Sequence, residues 1–200
     1  MTDYDYLINQ LNLLVGFLDV SDEEVYDQIK THDRFNIGIT IEQLYKGQYE
    51  NYSSHISTSA FILGFAHFED FLTKRLAVFL KQYPYKNDFK VPMRVIKEKG
   101  EELNSHLASE QARRLAFSDK IKFIEKDIPD FTTELISALR NANDIRNCLM
   151  HNNGIADKRL KLSNSYNIGD KIILNSGEVN GFGLMVRRFA KELWDKTNWD

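Results

Sequence analysis

Arg146 and His151 stand five residues apart in the run Arg146-Asn147-Cys148-Leu149-Met150-His151, which Asn152-Asn153-Gly154 follows at once. A guanidinium keeps its charge at any working pH and forks onto phosphate oxygens. An imidazole titrates near neutrality and can accept or give up a proton. One group binds an anion and the other moves a proton. RNA strand cleavage asks for little more, because RNA carries its own nucleophile in the 2′-OH. An Arg-x4-His spacing is short enough to recur in unrelated chains, so its surroundings carry the argument. No other Arg of the sequence precedes a His at this spacing.

The element that must position these groups is a helix predicted over 130–150, where Leu135, Ala138, Ala142, Ile145 and Leu149 line one apolar stripe. At about 100° per residue, Asn147 and His151 lie about 40° apart and Arg146 and His151 about 140° apart, with Asn147 between them. The side away from the stripe holds Asn143, Asp144, Arg146, Asn147 and His151. Asn147 is expected to orient His151 or a phosphate by its amide, and Asp144 to fix the His tautomer or position an Arg. Gly154 is placed to end the helix in a left-handed cap. The plainer alternative is a solvated or salt-bridged Arg146, paired with Asp144 or Glu134, and a His151 favoured by the helix dipole.

Other segments read as a supporting helical bundle. Leu7, Leu11, Leu14, Val15 and Leu18 mark a first amphipathic helix, and the capping box Ser21 to Glu24 predicts a short second one. The stretch 31–36 reads as a loop, and a further capping box at Thr40 to Gln43 opens a helical stretch through Tyr52. Phe61, Phe65, Phe68, Leu72, Leu76 and Phe79 mark a central core helix over 59–82, stopped by Pro84. After a connector over 83–92, the stretch 93–107 is charged and weakly amphipathic. Helical spacing returns over 118–127, and Pro129-Asp130 marks a break. Gly169 to Leu174 reads as half of a small β-hairpin bounded by Asn175-Ser176-Gly177, with the closing helix from about Phe182 to Trp194. The fold class expected is therefore all-α, with a hairpin near the C-terminus.

Composition narrows the function classes. Two hundred residues, 42% hydrophobic and 28% charged, fit one domain able to bury its own core. The formal net charge of -3 lacks the strongly basic footprint of many nucleic-acid binders, so any RNA contact must be local. The single cysteine, Cys148, excludes an internal disulfide and suits a reducing compartment. No apolar run reaches a membrane span, and the acidic start lacks the basic region of a signal peptide, so a cytoplasmic protein is expected. No Cys/His or carboxylate set shows ligand spacing, so neither metal nor cofactor is expected; a thiol nucleophile at Cys148 or a Cys148/His151 half-site finds no supporting residues. Glu69, in His67-Phe68-Glu69-Asp70, is a candidate supporting residue, or else a boundary ion-pair partner of Arg75 or Lys74. The three glycines from Gly177 to Gly183 match no nucleotide-binding pattern and read as a turn. Arg113-Arg114, Lys120 and Lys122, and Arg187-Arg188 with Lys191 read as solvated basic faces, any of which could line an RNA groove.

The motif in this setting resembles the HEPN superfamily, small all-α domains whose ribonuclease members carry Arg-x(4 to 6)-His with a polar residue after the Arg. Arg146, Asn147 and His151 match that pattern. The Asn-Asn-Gly after His151, the aromatic-rich helix over 59–82 and the late Gly169 to Leu174 segment are also similar to bacterial members. The resemblance covers 57–196, the expected core, and leaves 1–56 as an N-terminal helical extension. It implies a homodimer in which two Arg and two His converge on one scissile phosphate across a two-fold axis. It further implies a metal-independent endoribonuclease with Arg146, Asn147 and His151 catalytic, serving as a bacterial toxin or antiphage effector with an antitoxin or defence partner; Asp144, Asn143 and Glu69 are expected as supporting residues from their own places in the sequence. The alternative within the family is a non-catalytic module that dimerises or holds a partner protein or nucleotide.

Overall fold

A computed structural model describes residues 2–31, 41–83, 93–128, 131–160 and 166–197. Among them lie six helices, α1 (Asp3–Thr31), α2 (Ile41–Gln82), α3 (Met93–Arg114), α4 (Phe117–Asp127), α5 (Thr133–His151) and α6 (Ser176–Thr197), and no strand. The architecture is all-α. Two compact units divide the chain, one of Met1–Leu7, Ala66–Asn143 and Met185–Asp200, the other of Ile8–Phe65 and Asp144–Leu184.

The first unit is built on aromatic packing. Phe68 meets Phe189 edge-on at 5.7 Å and Phe117 at 6.2 Å, and Phe131 covers Phe189 at 4.9 Å. Each ring buried in this way contributes on the order of 2 kcal/mol. Arg75, 4% exposed, lies over the Trp194 ring at 4.4 Å and donates to the Thr197 hydroxyl at 3.0 and 3.1 Å and to the Thr197 carbonyl. It thereby satisfies a carbonyl that the end of α6 would otherwise leave open. In the second unit, Phe65 stacks nearly parallel on Phe182 at 5.9 Å, and Phe61 packs against Phe182 at 4.7 Å. The α2 residues expected in the core, from Phe61 to Phe79, are all buried.

Several helix boundaries depart from the sequence expectation. α1 runs unbroken past Ser21, so the Ser21 to Glu24 box starts nothing, and the two helices expected around 40–52 and 59–82 are one, α2. The cap that does begin α1 is Thr2 with Asp5: the Asp5 carboxylate accepts from the Thr2 N–H at 3.0 Å, and the Thr2 hydroxyl accepts from the Asp5 N–H at 3.1 Å. α3 continues to Arg114 with a break at Gly100, whose φ of 80° leaves the helical region. Thr31, the first residue of the loop expected over 31–36, ends α1; the rest of that loop, with Thr40, Pro84, Pro129 and Asp130, falls outside the described residues.

The expected hairpin is replaced by a single antiparallel bridge. Gly169 to Leu174 pairs backward, Lys171 opposite Ile155, with Ala156 N–H on the Asp170 carbonyl at 2.8 Å and Ile172 N–H on the Gly154 carbonyl at 2.7 Å. Gly169, at φ 95°, is the third residue of a turn closed by Asp170 N–H on the Asn167 carbonyl at 3.1 Å, where a left-handed residue is required. The glycines from Gly177 to Gly183 form no turn and lie inside α6. Asn175 opens that helix: its side-chain oxygen accepts the Glu178 N–H, and the Glu178 carboxylate accepts the Asn175 N–H, each at 2.9 Å.

Candidate active site at the end of α5

The last two turns of α5 carry the motif. Arg146 is half-buried; its Nη1 donates to Asn147 Oδ1 at 3.1 Å, and its guanidinium stands 5.8 Å from the centre of the Phe65 ring. Phe65 is itself fixed by Phe182, so the cation rests against a rigid aromatic wall, an interaction worth about 0.5–1 kcal/mol. Among the described residues Arg146 makes no ion pair, with Asp144, Glu134 or any other acid. Asn147 therefore orients the arginine, not His151, and its amide nitrogen makes no hydrogen bond among the described residues. His151 is exposed on the final residue of the helix and likewise has no hydrogen-bond partner among them.

Beyond His151 the chain turns sharply. Asn152 N–H and Gly154 N–H both donate to the Cys148 carbonyl at 3.0 Å, and Asn152 Nδ2 donates to the Ile155 carbonyl at 2.7 Å. Asn153 and Gly154 both sit in the left-handed region, at φ 50° and 73°. The expected left-handed cap is thus present and takes two residues, of which Asn is the kind that accepts the conformation best after Gly.

The polar face holds the remaining candidates differently. Asp144 is half-buried, and that burial raises its carboxyl above the ordinary value, opposed by Arg159 and reinforced by Asp157. Its electrostatic neighbours are therefore Arg159 and Asp157, two residues that nothing in their sequence surroundings singles out. Arg159 forks onto Asp157, Nε reaching the two carboxylate oxygens at 3.0 and 2.9 Å, and this holds the Asp157 carboxyl down at about 2. Cys148 is fully buried beside Asp157, and burial pushes its thiol up, the reverse of what a nucleophile requires. Asn143 is half-buried on α5. The buried face of α5 is Leu135, Ile136, Leu139, Ala142 and Cys148, and Ala138, expected in the stripe, is exposed.

Glu69 has a structural partner. It accepts from Lys120 Nζ at 3.1 Å, with the lysine side chain only 4% exposed, while Lys74 pairs with Asp70 and Arg75 with Thr197. The basic pairs expected as solvated faces are largely neutralised by neighbours: Arg113 and Arg114 by Glu110, Lys122 by Asp119, Arg188 by Glu192 and Lys191 by Asp195. No group of three or more His, Cys, Asp or Glu side chains among the described residues could hold a metal ion. No helix among them is long and apolar enough to cross a membrane. One feature had no signal in the sequence, a cavity of about 340 Å³ whose lining includes His55 of α2 and Asn153 of the cap.

No family model, curated protein or solved structure matches the chain.

Proposed function

We propose that the protein is an endoribonuclease of the HEPN kind, cutting RNA by attack of the substrate 2′-OH on the adjacent phosphate. The observation that carries this reading is the state of Arg146: a half-buried guanidinium, held by Asn147 and Phe65, with no acid paired to it among the described residues. A cation kept oriented and unneutralised is what an incoming phosphate requires. Arg146 holds the non-bridging oxygens and stabilises the charge that builds on them in the pentacoordinate transition state, an effect worth several kcal/mol where the donor is preorganised. His151 takes the 2′-OH proton or delivers one to the leaving 5′-oxygen. Asn147 fixes the guanidinium and offers its amide N–H to the phosphate. Because RNA supplies the nucleophile, the reading is metal-independent.

The wide angle between Arg146 and His151 on one helix favours a homodimer, in which the Arg of one protomer and the His of its partner meet at one phosphate. Use as a bacterial toxin or antiphage effector, restrained or triggered by a partner protein, belongs to the same reading. A second reading draws on His151, which has no orienting partner among the described residues, and on Met150 beside it, 48% exposed. An exposed apolar and imidazole pair at a helix end also suits a non-catalytic module that dimerises or holds a partner.

Incubation with RNA in excess EDTA separates the two. The enzyme leaves a 2′,3′-cyclic phosphate and a 5′-hydroxyl, and His151→Ala lowers the rate by about 10²-fold or more in a protein that still folds. Equal cleavage by the folded His151→Ala protein, or cleavage of a substrate lacking the 2′-OH, removes the roles given to Arg146 and His151. A strict monomer that cleaves RNA removes the shared site.

A further inference from the structure

The cap that ends α5 also closes one side of the 340 Å³ cavity. Its walls divide by chemistry. Leu149 and Ile172 supply aliphatic surface, and Ser54 and Thr58 supply hydroxyls four residues apart on α2. Asn153 and Lys171 are both exposed as well as lining, so they stand at its opening. No carboxylate of the described residues lines it, which disfavours a cationic ligand. The volume is at the lower end for small-molecule sites, enough for one nucleotide and too little for two.

Asn153 is the informative residue. Its φ of 50° is one that glycine adopts more readily, and its amide makes no hydrogen bond among the described residues. Asparagine suits that backbone, and it brings to the opening a carboxamide with one acceptor and two donors, the complement of a base edge. Leu149 and Asn153 each lie two residues from His151. The cavity and the motif therefore share one end of α5.

We infer that this cavity is a nucleoside subsite taking one nucleotide of single-stranded RNA beside the cut. The base lies against Leu149 and Ile172, its edge meets Asn153 and the α2 hydroxyls, and its phosphate meets Lys171. Placement beside the cut rests on the ribonuclease reading; the pocket itself does not.

The test uses the full-length His151→Ala protein, the four ribonucleoside 5′-monophosphates and inorganic phosphate, with binding followed by NMR shifts and calorimetry. At least one nucleotide is expected to bind with Kd on the order of 1 mM, as a small fragment in a shallow site does. Asn153→Gly, which keeps the left-handed backbone, is expected to weaken it about tenfold, and Thr58→Val and Lys171→Gln less. Failure of all four nucleotides to bind, binding indifferent to Asn153→Gly and Lys171→Gln, or inorganic phosphate binding as tightly as the nucleotides overturns the subsite. Nucleotide binding by a protein that cuts no RNA keeps the pocket and removes the nuclease. Cleavage whose preference among bases at the cut is unchanged by Asn153→Gly does the opposite.

Discussion

Asp144 illustrates how a single carboxyl can work against the fold that holds it. Burial raises its pKa, so the folded state binds the proton more tightly than the unfolded chain does. The stability this group contributes is full below the ordinary carboxylate value of 3.8 and is lost as pH rises through its raised folded value. Asp144→Asn is therefore expected to unfold at a higher temperature than the parent at pH 7, with the advantage vanishing as pH falls below about 4. Thermal melts across that range check it; a less stable Asn variant at pH 7 means that the carboxylate has a partner worth more than its desolvation. At this scale the sequence was informative about type and silent about partnership. Arg146, Asn147 and His151 stand out because few residue types do phosphate chemistry. That Asn147 turns to Arg146 is a side-chain arrangement within α5, and that Asp144 answers to Arg159 and Asp157 follows from the path of the chain after the cap.

The helices were legible where a stripe of large apolar residues repeats, as along α2, and illegible where local punctuation competed with packing. Glycine discourages helix by about 1 kcal/mol per residue, which makes Gly177 to Gly183 look like a turn. Yet Val179, Phe182, Val186, Phe189 and Leu193 are all buried at three- and four-residue steps, and their burial outweighs the glycine penalty. The reciprocal Asn175 and Glu178 cap sets the start. Asn175→Ala is expected to remove about 1 kcal/mol and lower Tm by about 3 °C in a chain of this size, without altering the far end of α6. Calorimetry decides it; an unchanged Tm would mean that the cap is replaced by water. Ser21 shows the converse: a capping pattern has no effect where the helix is already running.

At the scale of the whole molecule, the contacts hardest to foresee join residues far apart in the chain. Glu69 and Lys120 are 51 residues apart, and no local pattern selects that partner over the expected Arg75 or Lys74. The pair makes a further expectation. Glu69→Ala strands an ammonium that is 4% exposed and is expected to cost about 3 kcal/mol. Adding Lys120→Met should restore most of the loss, because an apolar chain of similar length needs no counterion. Denaturant titrations of the two variants check this. Recovery in the double variant assigns Glu69 to structure, and a folded Glu69→Ala protein with altered RNA cleavage assigns it to the site.

Arg75 reaches across 122 residues to the final described turn of α6, where it grips Thr197 by hydroxyl and carbonyl together. Terminal helical turns ordinarily open and close on their own, and their amide protons exchange with solvent almost as in a peptide. Here that turn opens only if a buried guanidinium releases its partners and Trp194 leaves its face. Amides around Asp195 to Thr197 are therefore expected to exchange as slowly as those at the middle of α6, and Arg75→Met to speed them selectively, turning a latched helix end into a frayed one.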